Sequence, residues 1–438
     1  MSAPDDIGGR NADVLPDHPL RYELANEIHA RPFPVVPAPC RAVYLALKPA
    51  ENAADRDRDA DSQHLISLLD RHGAAHPPPG ATHWSGRIGK HHLTWESHTE
   101  FVSYTVFLDG LSDRPYDPSS FDVFPSDWLA QAPGTRLTSA HIRAEVCGCE
   151  EVAKKVDAWF VGESVAVSQV LDCDAVIAGD FRIDPGGHMR FAVFVDAGTD
   201  AQRTGRILQR LLEIETYKAM SMLGFARARR LSGELAAIGA ELSQLTSDMV
   251  DEKLADEATL RGLLTITSKI EQLLGQSNFR FGATRAYEAI VAQRINILRE
   301  ERFENRQTFA EFMMRRFDPA MRTAQAAERR LETMASRAMR AAELLRTRVD
   351  VARSAQNQAL LTSMDRRADA QLRLQKTVEG LSVIAVSYYS VNLLSYLLAP
   401  VAELLGVSKV VLTAMITLPV VFAIWRIVRR IRGRIQQD

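Results

Sequence analysis

Two runs without formal charge near the C-terminus most constrain what this chain can fold into. Residues 381–402 form an uncharged run of 22, and residues 410–425 form one of 16. A helix needs about 20 residues to cross a bilayer, and the lower limit is about 17. The first run is long enough, and the second is long enough if Lys409 and Arg426 extend their charges to the two interfaces. We therefore expect a transmembrane hairpin over 379–426. Its first span covers about 381–402 and its second span about 409–426.

Basic residues flank both predicted spans. Five arginines lie between positions 426 and 434, and Arg366, Arg367, Arg373 and Lys376 precede the first span. The connecting loop carries one lysine and one glutamate. Positive charge accumulates on the cytoplasmic side of membrane proteins. This asymmetry predicts a membrane protein with both termini in the cytoplasm and a basic cytoplasmic tail at 427–438.

Polar side chains share one face of the first predicted span. On a helical wheel they fall within an arc of about 140°. The face comprises Ser382, Tyr388, Tyr389, Asn392, Ser395 and Tyr396. A polar stripe packs against another helix or lines water, because lipid offers it no hydrogen bonds. Its available partners are the second span and copies of the first span in a homo-oligomer. A packed interface is the favoured interpretation, and a pore is the alternative.

The charge of the chain is divided between two regions. Residues 1–200 hold 17 basic and 30 acidic side chains, whereas residues 201–438 hold 36 and 25. All eleven histidines lie at or before His188. The formal net charge of −2 argues against a nucleic-acid partner, since such proteins are basic overall. The division predicts two regions of different architecture.

The acidic region has the pattern of an α+β domain. We predict a disordered tail at 1–17 and, at 18–200, an acidic cytoplasmic α/β layer domain with a mainly antiparallel sheet. Strands are predicted at 41–47, 91–96, 101–108, 140–146, 175–181 and 190–195. Helices are predicted at 62–73, 126–132 and 151–170. The segment Asp184-Pro185-Gly186-Gly187 is typical of a hairpin turn between the last two strands.

The middle of the chain is predicted to be helical. From position 201 to 376 it has a single proline, Pro319, and many strong helix formers. We predict a helical domain at 201–317, with a break at Ser232-Gly233. Its helices are predicted at 204–231, 234–254, 257–276 and 280–316. A long stalk helix is predicted at 318–378, where heptad spacing of alanine and leucine favours a coiled coil.

Motifs of known chemistry are missing from the sequence. It has no GxSxG, P-loop, GxGxxG or HExxH pattern. Seven histidines between His64 and His98 suggest a metal site, but adjacent His91 and His92 on a strand face opposite ways. Scattered surface and hydrogen-bonded histidines are the favoured interpretation. We therefore expect no catalytic residue, no metal and no cofactor, and we do not expect an enzyme.

Several segments resemble a known family. They read HPLR at 18–21, NEIHARP at 26–32, WESHTEF at 95–101, DFRID at 180–184, LLEIETY at 211–217 and TVEGLSVIAVSYY at 377–389. Together they resemble the bacterial domain-of-unknown-function family 3422 over nearly the whole chain. The resemblance implies a membrane-anchored protein and implies nothing about activity.

The charged residues of these segments form a second set of candidates. They are Glu27, His29, Arg31, Glu96, His98 and Glu100. Such side chains are too polar to be plain core residues. They either line a shared ligand site or stabilise the head domain as a buried polar network, and the network is favoured.

The predicted layout also resembles, remotely, the CorA-type magnesium channels. In that family the first span ends in Tyr-Gly-Met-Asn, whereas this chain has Tyr389-Ser390-Val391-Asn392 and lacks the Gly and Met. Asn392 also lies near the middle of the span. The leading hypothesis is thus a homo-oligomeric and non-enzymatic scaffold or regulatory module that is anchored in the bacterial inner (cytoplasmic) membrane. The alternative is a CorA-like oligomeric channel, and only this alternative implies a divalent cation.

Overall fold

The fold is mixed α+β, as the sequence predicts. A computed structural model describes residues 17–22, 24–25, 33–51, 53–251, 256–404 and 408–435. The chain divides into two compact units. The first comprises residues 1–247 and 262–340, and the second comprises 248–261 and 341–438. The first unit contains the sheet, and the second contains the C-terminal helices.

A mostly antiparallel sheet organises the first unit. Within the described residues it has nine strands in the order β2-β3-β4-β1-β5-β8-β7-β6-β9. Its strands are β1 Cys40–Lys48, β2 His83–Ile88, β3 His91–Ser97, β4 Val102–Asp109, β5 Thr135–Val146, β6 Ala166–Val170, β7 Ala175–Ile183, β8 Met189–Val195 and β9 Glu301–Arg302. Among these pairs only β5 and β8 run parallel. The predicted turn after Ile183 connects β7 to β8.

The helices are distributed over both units. They are α1 Arg58–Arg71, α2 Ser126–Leu129, α3 Cys149–Trp159, α4 Ala201–Asp251, α5 Asp256–Leu298, α6 Phe309–Arg316, α7 Asp318–Leu404 and α8 Lys409–Ile435. The helical stretch Phe309–Val401 and the helix Lys409–Arg430 are each apolar and long enough to cross a membrane. In the most apolar window of each, 17% and 6% of the residues are buried.

Strand β1 shows why the sheet needs cover on both faces. Its side chains alternate between the faces, and those of Ala42, Val43, Tyr44 and Leu45 are all buried. One face packs on α1 and α2 through Leu65, Leu68, Leu69 and Trp128. The other face packs on α4, α5 and α6 through residues that include Leu208, Leu211, Val291 and Phe309. A strand buried on both faces has a continuous apolar run, and this one reads CRAVYLALK.

Two predicted helices are wrong in their extent, and some strands were not predicted. The predicted helix 151–170 ends as α3 at Trp159, and β6 follows, because the extended segment is buried on both faces, with Ala166 and Val170 in one core cluster and Val167 in another. Strand β2 was not predicted. The predicted helix 280–316 ends at Leu298, where β9 and then α6 follow.

The predicted break at Ser232-Gly233 is also wrong, because α4 is continuous from Ala201 to Asp251. Leu231 and Leu235 on either side of the glycine are buried. Their packing outweighs the loss of about 1 kcal/mol that a helical glycine brings. By contrast, the predicted restart near Pro319 is confirmed, since α6 ends at Arg316 and α7 begins at Asp318.

The first turns of α4 pass very close to the segment before β1. A methyl group on Gly205 would overlap the carbonyl oxygen of Pro34, and the Val36 N–H donates to the Ala201 carbonyl at 3.0 Å. We expect Gly205→Ala to destabilise the first unit by about 1–3 kcal/mol through overpacking. The measurement is the urea midpoint of the detergent-solubilised full chain.

Gly233→Ala is the matched control in the same helix. A methyl group added at Gly233 would point into open space, so this variant should gain about 0.5–1 kcal/mol. Equal midpoints for the two variants would contradict the close approach at Gly205.

Candidate functional site

A pocket of about 250 Å³ lies between the sheet and helices α4 and α5 in the first unit. We call it the central pocket. Strands β1 to β4 supply one wall, and the two helices supply the other. Its lining residues are Phe33, Pro34, Tyr44, His83, Thr94, Glu96, His98, Phe101, Thr105, Phe107, Gln209, Leu212, Glu213, Thr216, Tyr217 and Arg294.

Aromatic rings line the sheet side of the central pocket. The Tyr44 hydroxyl lies 2.6 Å from the Thr216 hydroxyl, which lies 2.7 Å from the Leu212 carbonyl oxygen. Burial raises the pKa of Tyr44 strongly, so its hydroxyl stays neutral. His98 stacks on Phe101 with 4.2 Å between the ring centres. These rings make a rigid wall that is held in place by stacking and by hydrogen bonds.

Opposite charges face one another across the pocket. On the sheet side, the Glu96 carboxylate lies 3.8 Å from His98 Nε2. On the helical side, Glu213 of α4 forms an ion pair with Arg294 of α5. The Gln209 side chain donates to Glu213 at 3.1 Å, while its own carbonyl oxygen is buried and has no hydrogen-bond partner among the described residues. The lining thus offers two carboxylates, one guanidinium and one unused amide oxygen.

A buried ion pair holds the end of the pocket in place. Glu100 is 1% exposed and pairs with Arg280 of α5. The Tyr287 hydroxyl donates to the same carboxylate at 3.0 Å, and burial raises the pKa of Tyr287. Tyr287 stacks on Tyr217, which meets Phe101 edge-on. Glu100 therefore connects the turn after β3 to α5, and the stack of Tyr287 on Tyr217 extends this contact to α4.

The structure places the charged candidates in two settings. Glu96 and His98 line the central pocket, whereas Glu100 belongs to the buried polar network behind it. The other three candidates, Glu27, His29 and Arg31, lie outside the described residues.

Sequence reasoning missed the helical half of the pocket. Glu213, Thr216 and Tyr217 belong to the segment LLEIETY, so the family resemblance already contained a signal for them. Arg294 has no comparable signal, because it is one of many arginines in a helical region. Only the packing of α5 beside α4 brings it to Glu213.

The polar face of the first predicted span is only partly covered. Ser395 is 5% exposed and lies 3.4 Å from Thr413 of α8. Asn392 is half-buried. The other four candidates, Ser382, Tyr388, Tyr389 and Tyr396, are exposed. Tyr396 has the Lys409 ammonium 5.2 Å from its ring centre, so the described part of the hairpin covers this face only in part.

No metal site is formed by the described part of the chain. No group of three or more His, Cys, Asp and Glu side chains there is arranged to hold an ion. Cys147 is buried and Cys149 is exposed, and both are free thiols.

The fold and the two apolar helices define a class of mixed α+β protein with C-terminal helices that can span a membrane. The chain belongs to the family DUF3422, described as "Protein of unknown function", whose model matches residues 16–435. The resemblance seen in the sequence is thereby confirmed. No curated protein matches the chain.

Glu100→Gln should destabilise the first unit by about 3 kcal/mol or more, because Arg280 then keeps a largely buried charge without its partner. The Arg280 side chain is 16% exposed. The measurement is again the urea midpoint of the full chain in detergent.

Glu241→Gln is the matched control, because its carboxylate is half exposed and lies 3.9 Å from Lys269 Nζ. An exposed ion pair of this kind contributes little to stability, so the urea midpoint of Glu241→Gln should equal that of the wild-type protein. Equal effects of the two substitutions would show that Glu100 is not a structural anchor.

Proposed function

We propose that this protein is a non-enzymatic regulatory module that is anchored in the bacterial inner membrane and binds a small ammonium-bearing molecule in the central pocket. The observation that carries the proposal is the lining of that pocket. It has two carboxylates and one guanidinium, surrounded by aromatic rings. Carboxylates and aromatic faces both attract a compact organic cation.

The lining favours binding over covalent catalysis. None of the described residues that line the pocket is a serine, cysteine or lysine. The Thr216 hydroxyl is already engaged with Tyr44 and the Leu212 carbonyl. A pocket with fixed polar groups and no activated nucleophile is typical of a recognition site.

The opposite charges suggest how a ligand is oriented. Glu96 on β3 can accept hydrogen bonds from an ammonium group, while Arg294 reaches the pocket from α5 beside Glu213. A free amino acid carries an ammonium and a carboxylate on one carbon. It is the simplest molecule that satisfies Glu96 and Arg294 together, and its size suits a pocket of about 250 Å³.

The ligand proposal is tested with the twenty standard amino acids, each added to the detergent-solubilised full chain during thermal unfolding. At least one should raise the melting temperature, because a ligand that binds only the folded state stabilises it. Glu96→Gln should remove that rise. The N-acetyl derivative of the same amino acid, which lacks the ammonium charge, is the matched control and should give no rise.

Two outcomes would contradict the ligand proposal. In one, none of the twenty amino acids raises the melting temperature. In the other, the N-acetyl derivative protects the protein as well as its parent does.

The exposed tyrosines of α7 support the second part of the proposal, which is self-association in the membrane. Tyr388, Tyr389 and Tyr396 are 65%, 72% and 69% exposed. Phenolic hydroxyls are poorly placed against lipid chains, where no hydrogen-bond partner exists. A second copy of α7 would bring a matching polar face. We therefore propose that the module is a homo-oligomer, joined through this face, with both termini in the cytoplasm and no nucleic-acid partner.

Cysteine crosslinking in native membranes tests this interface. Exposed Cys149 and Cys173 are first replaced by serine. In that background Tyr396→Cys should give a disulfide-linked dimer under mild oxidation. Leu397→Cys is the matched control, because Leu397 has the same depth and is 67% exposed but points about 100° away. Monomers alone, or equal dimer yields for the two variants, would overturn the proposed interface.

A further inference from the structure

A groove of about 510 Å³ lies beside the first turns of α4, and none of its described lining residues also lines the central pocket. Four arginines line it, three from the first turns of α4 and one just after α5. They are Arg203, Arg206, Arg210 and Arg299. Asp174 is the one acidic residue among the described residues that line the groove. We call this the basic groove.

Two of the four arginines are already neutralised. Arg203 forms an ion pair with Asp174, and the Arg299 guanidinium lies 2.7 Å from the Asp172 carboxylate. The first pair holds the turn between β6 and β7 against the start of α4, and the second holds the same turn against the end of α5. The Leu171 N–H also donates to the Leu298 carbonyl at 3.0 Å, which ties the same turn to the end of α5. The wall opposite α4 is thus fixed by the protein itself.

The other two arginines have no such partner. Neither Arg206 nor Arg210 makes a side-chain hydrogen bond or an ion pair within the described part of the chain. Both are half-buried, and Arg206 Nε is buried without a hydrogen-bond partner there. A buried donor without a hydrogen-bond partner destabilises the protein, and more so when the donor is charged.

Positive charge is also crowded around Arg210. Burial, followed by the guanidinium of Arg206, lowers the pKa of Arg210; the Glu213 carboxylate acts against this shift, and Arg294 and Arg299 act with it. Like charges held this close repel one another in the free protein. An anion in the groove would remove that repulsion and supply acceptors for the unused N–H groups.

We propose that the basic groove binds a soluble anion with two adjacent phosphate groups, with Arg206 and Arg210 as its principal donors. Guanidinium groups match the geometry of phosphate oxygens and bind them through two parallel hydrogen bonds. Arg206 and Arg210 are four residues apart on α4, so they lie side by side with about 5–6 Å between their Cβ atoms. That spacing suits neighbouring phosphates.

The other lining residues limit what else the ligand contains. No aromatic side chain is among the groove's described lining residues, which leaves a nucleotide base without a stacking surface. The apolar contribution comes from Leu171 and Ile297 alone. The groove therefore recognises the diphosphate itself. This site shares no described lining residue with the central pocket and does not depend on the ligand proposed there.

The test is isothermal titration of the detergent-solubilised full chain with inorganic pyrophosphate. The wild-type protein should bind it, and the double variant Arg206→Gln/Arg210→Gln should bind at least about 10-fold more weakly, because it loses both charge-assisted contacts. Arg230→Gln is the matched control, because Arg230 is an exposed arginine of α4 outside the groove. It should leave binding unchanged.

A second double variant and a titration with inorganic phosphate identify the class of ligand. The double variant Arg206→Lys/Arg210→Lys keeps both charges but loses the planar guanidinium groups, each of which can donate two parallel hydrogen bonds. It should therefore bind pyrophosphate more weakly while remaining folded. Thermal unfolding of every variant checks that it is folded. Inorganic phosphate should bind more weakly than pyrophosphate.

Four results would overturn the proposal. The first two are no binding of pyrophosphate to the wild-type protein, and equal binding to the wild type and the folded lysine variant. The third is a loss of binding in Arg230→Gln as large as in the double variant. The fourth is binding to vesicles rich in phosphatidylinositol bisphosphate or to RNA without any binding of pyrophosphate, which would assign the groove to a macromolecular surface.

Discussion

The burial of both faces of the central strands is the constraint on which the first unit depends. Tyr44 and Val43 point to opposite sides of β1, and both are buried. One side is covered by α1 and α2, which are near in the sequence. The other is covered by α4, α5 and α6, which begin after the last long strand. Because an exposed apolar sheet face would be unstable in water, the sheet and the later helices must fold as one core.

The helical cover is not purely apolar, and this explains where the central pocket lies. Tyr44 needs a partner for its buried hydroxyl and finds Thr216 on α4. Glu100 needs a cation and finds Arg280 on α5. Polar groups buried between sheet and helix are stable only when paired. The Tyr44–Thr216 pair, which fixes α4 on the sheet, also lines the space proposed for a ligand, and the Glu100–Arg280 pair lies behind that space.

Sequence patterns predicted the long elements better than the short ones. The antiparallel sheet, the helical middle and the restart of the helix at Asp318 follow from strong periodicity or from a proline. Strand β6 was mistaken for part of a helix, because five residues carry too little pattern to separate the two. Gly233 was taken as a break, although buried leucines on either side of it keep α4 intact. For the site, Glu96 and His98 were predicted as polar candidates, but their neighbours on α4 and α5 were not.

By itself the sequence determined that the chain is mixed α+β, that it belongs to this family and that it ends in two helices apolar enough to span a membrane. These properties depend on composition and on periodicity within one element. Only the tertiary structure decided that Arg294 meets Glu213 at the central pocket, and that Arg206 and Arg210 line a second groove without an ion pair to any described residue. Those contacts join elements far apart in the chain, and no local pattern records which side chains such packing brings together.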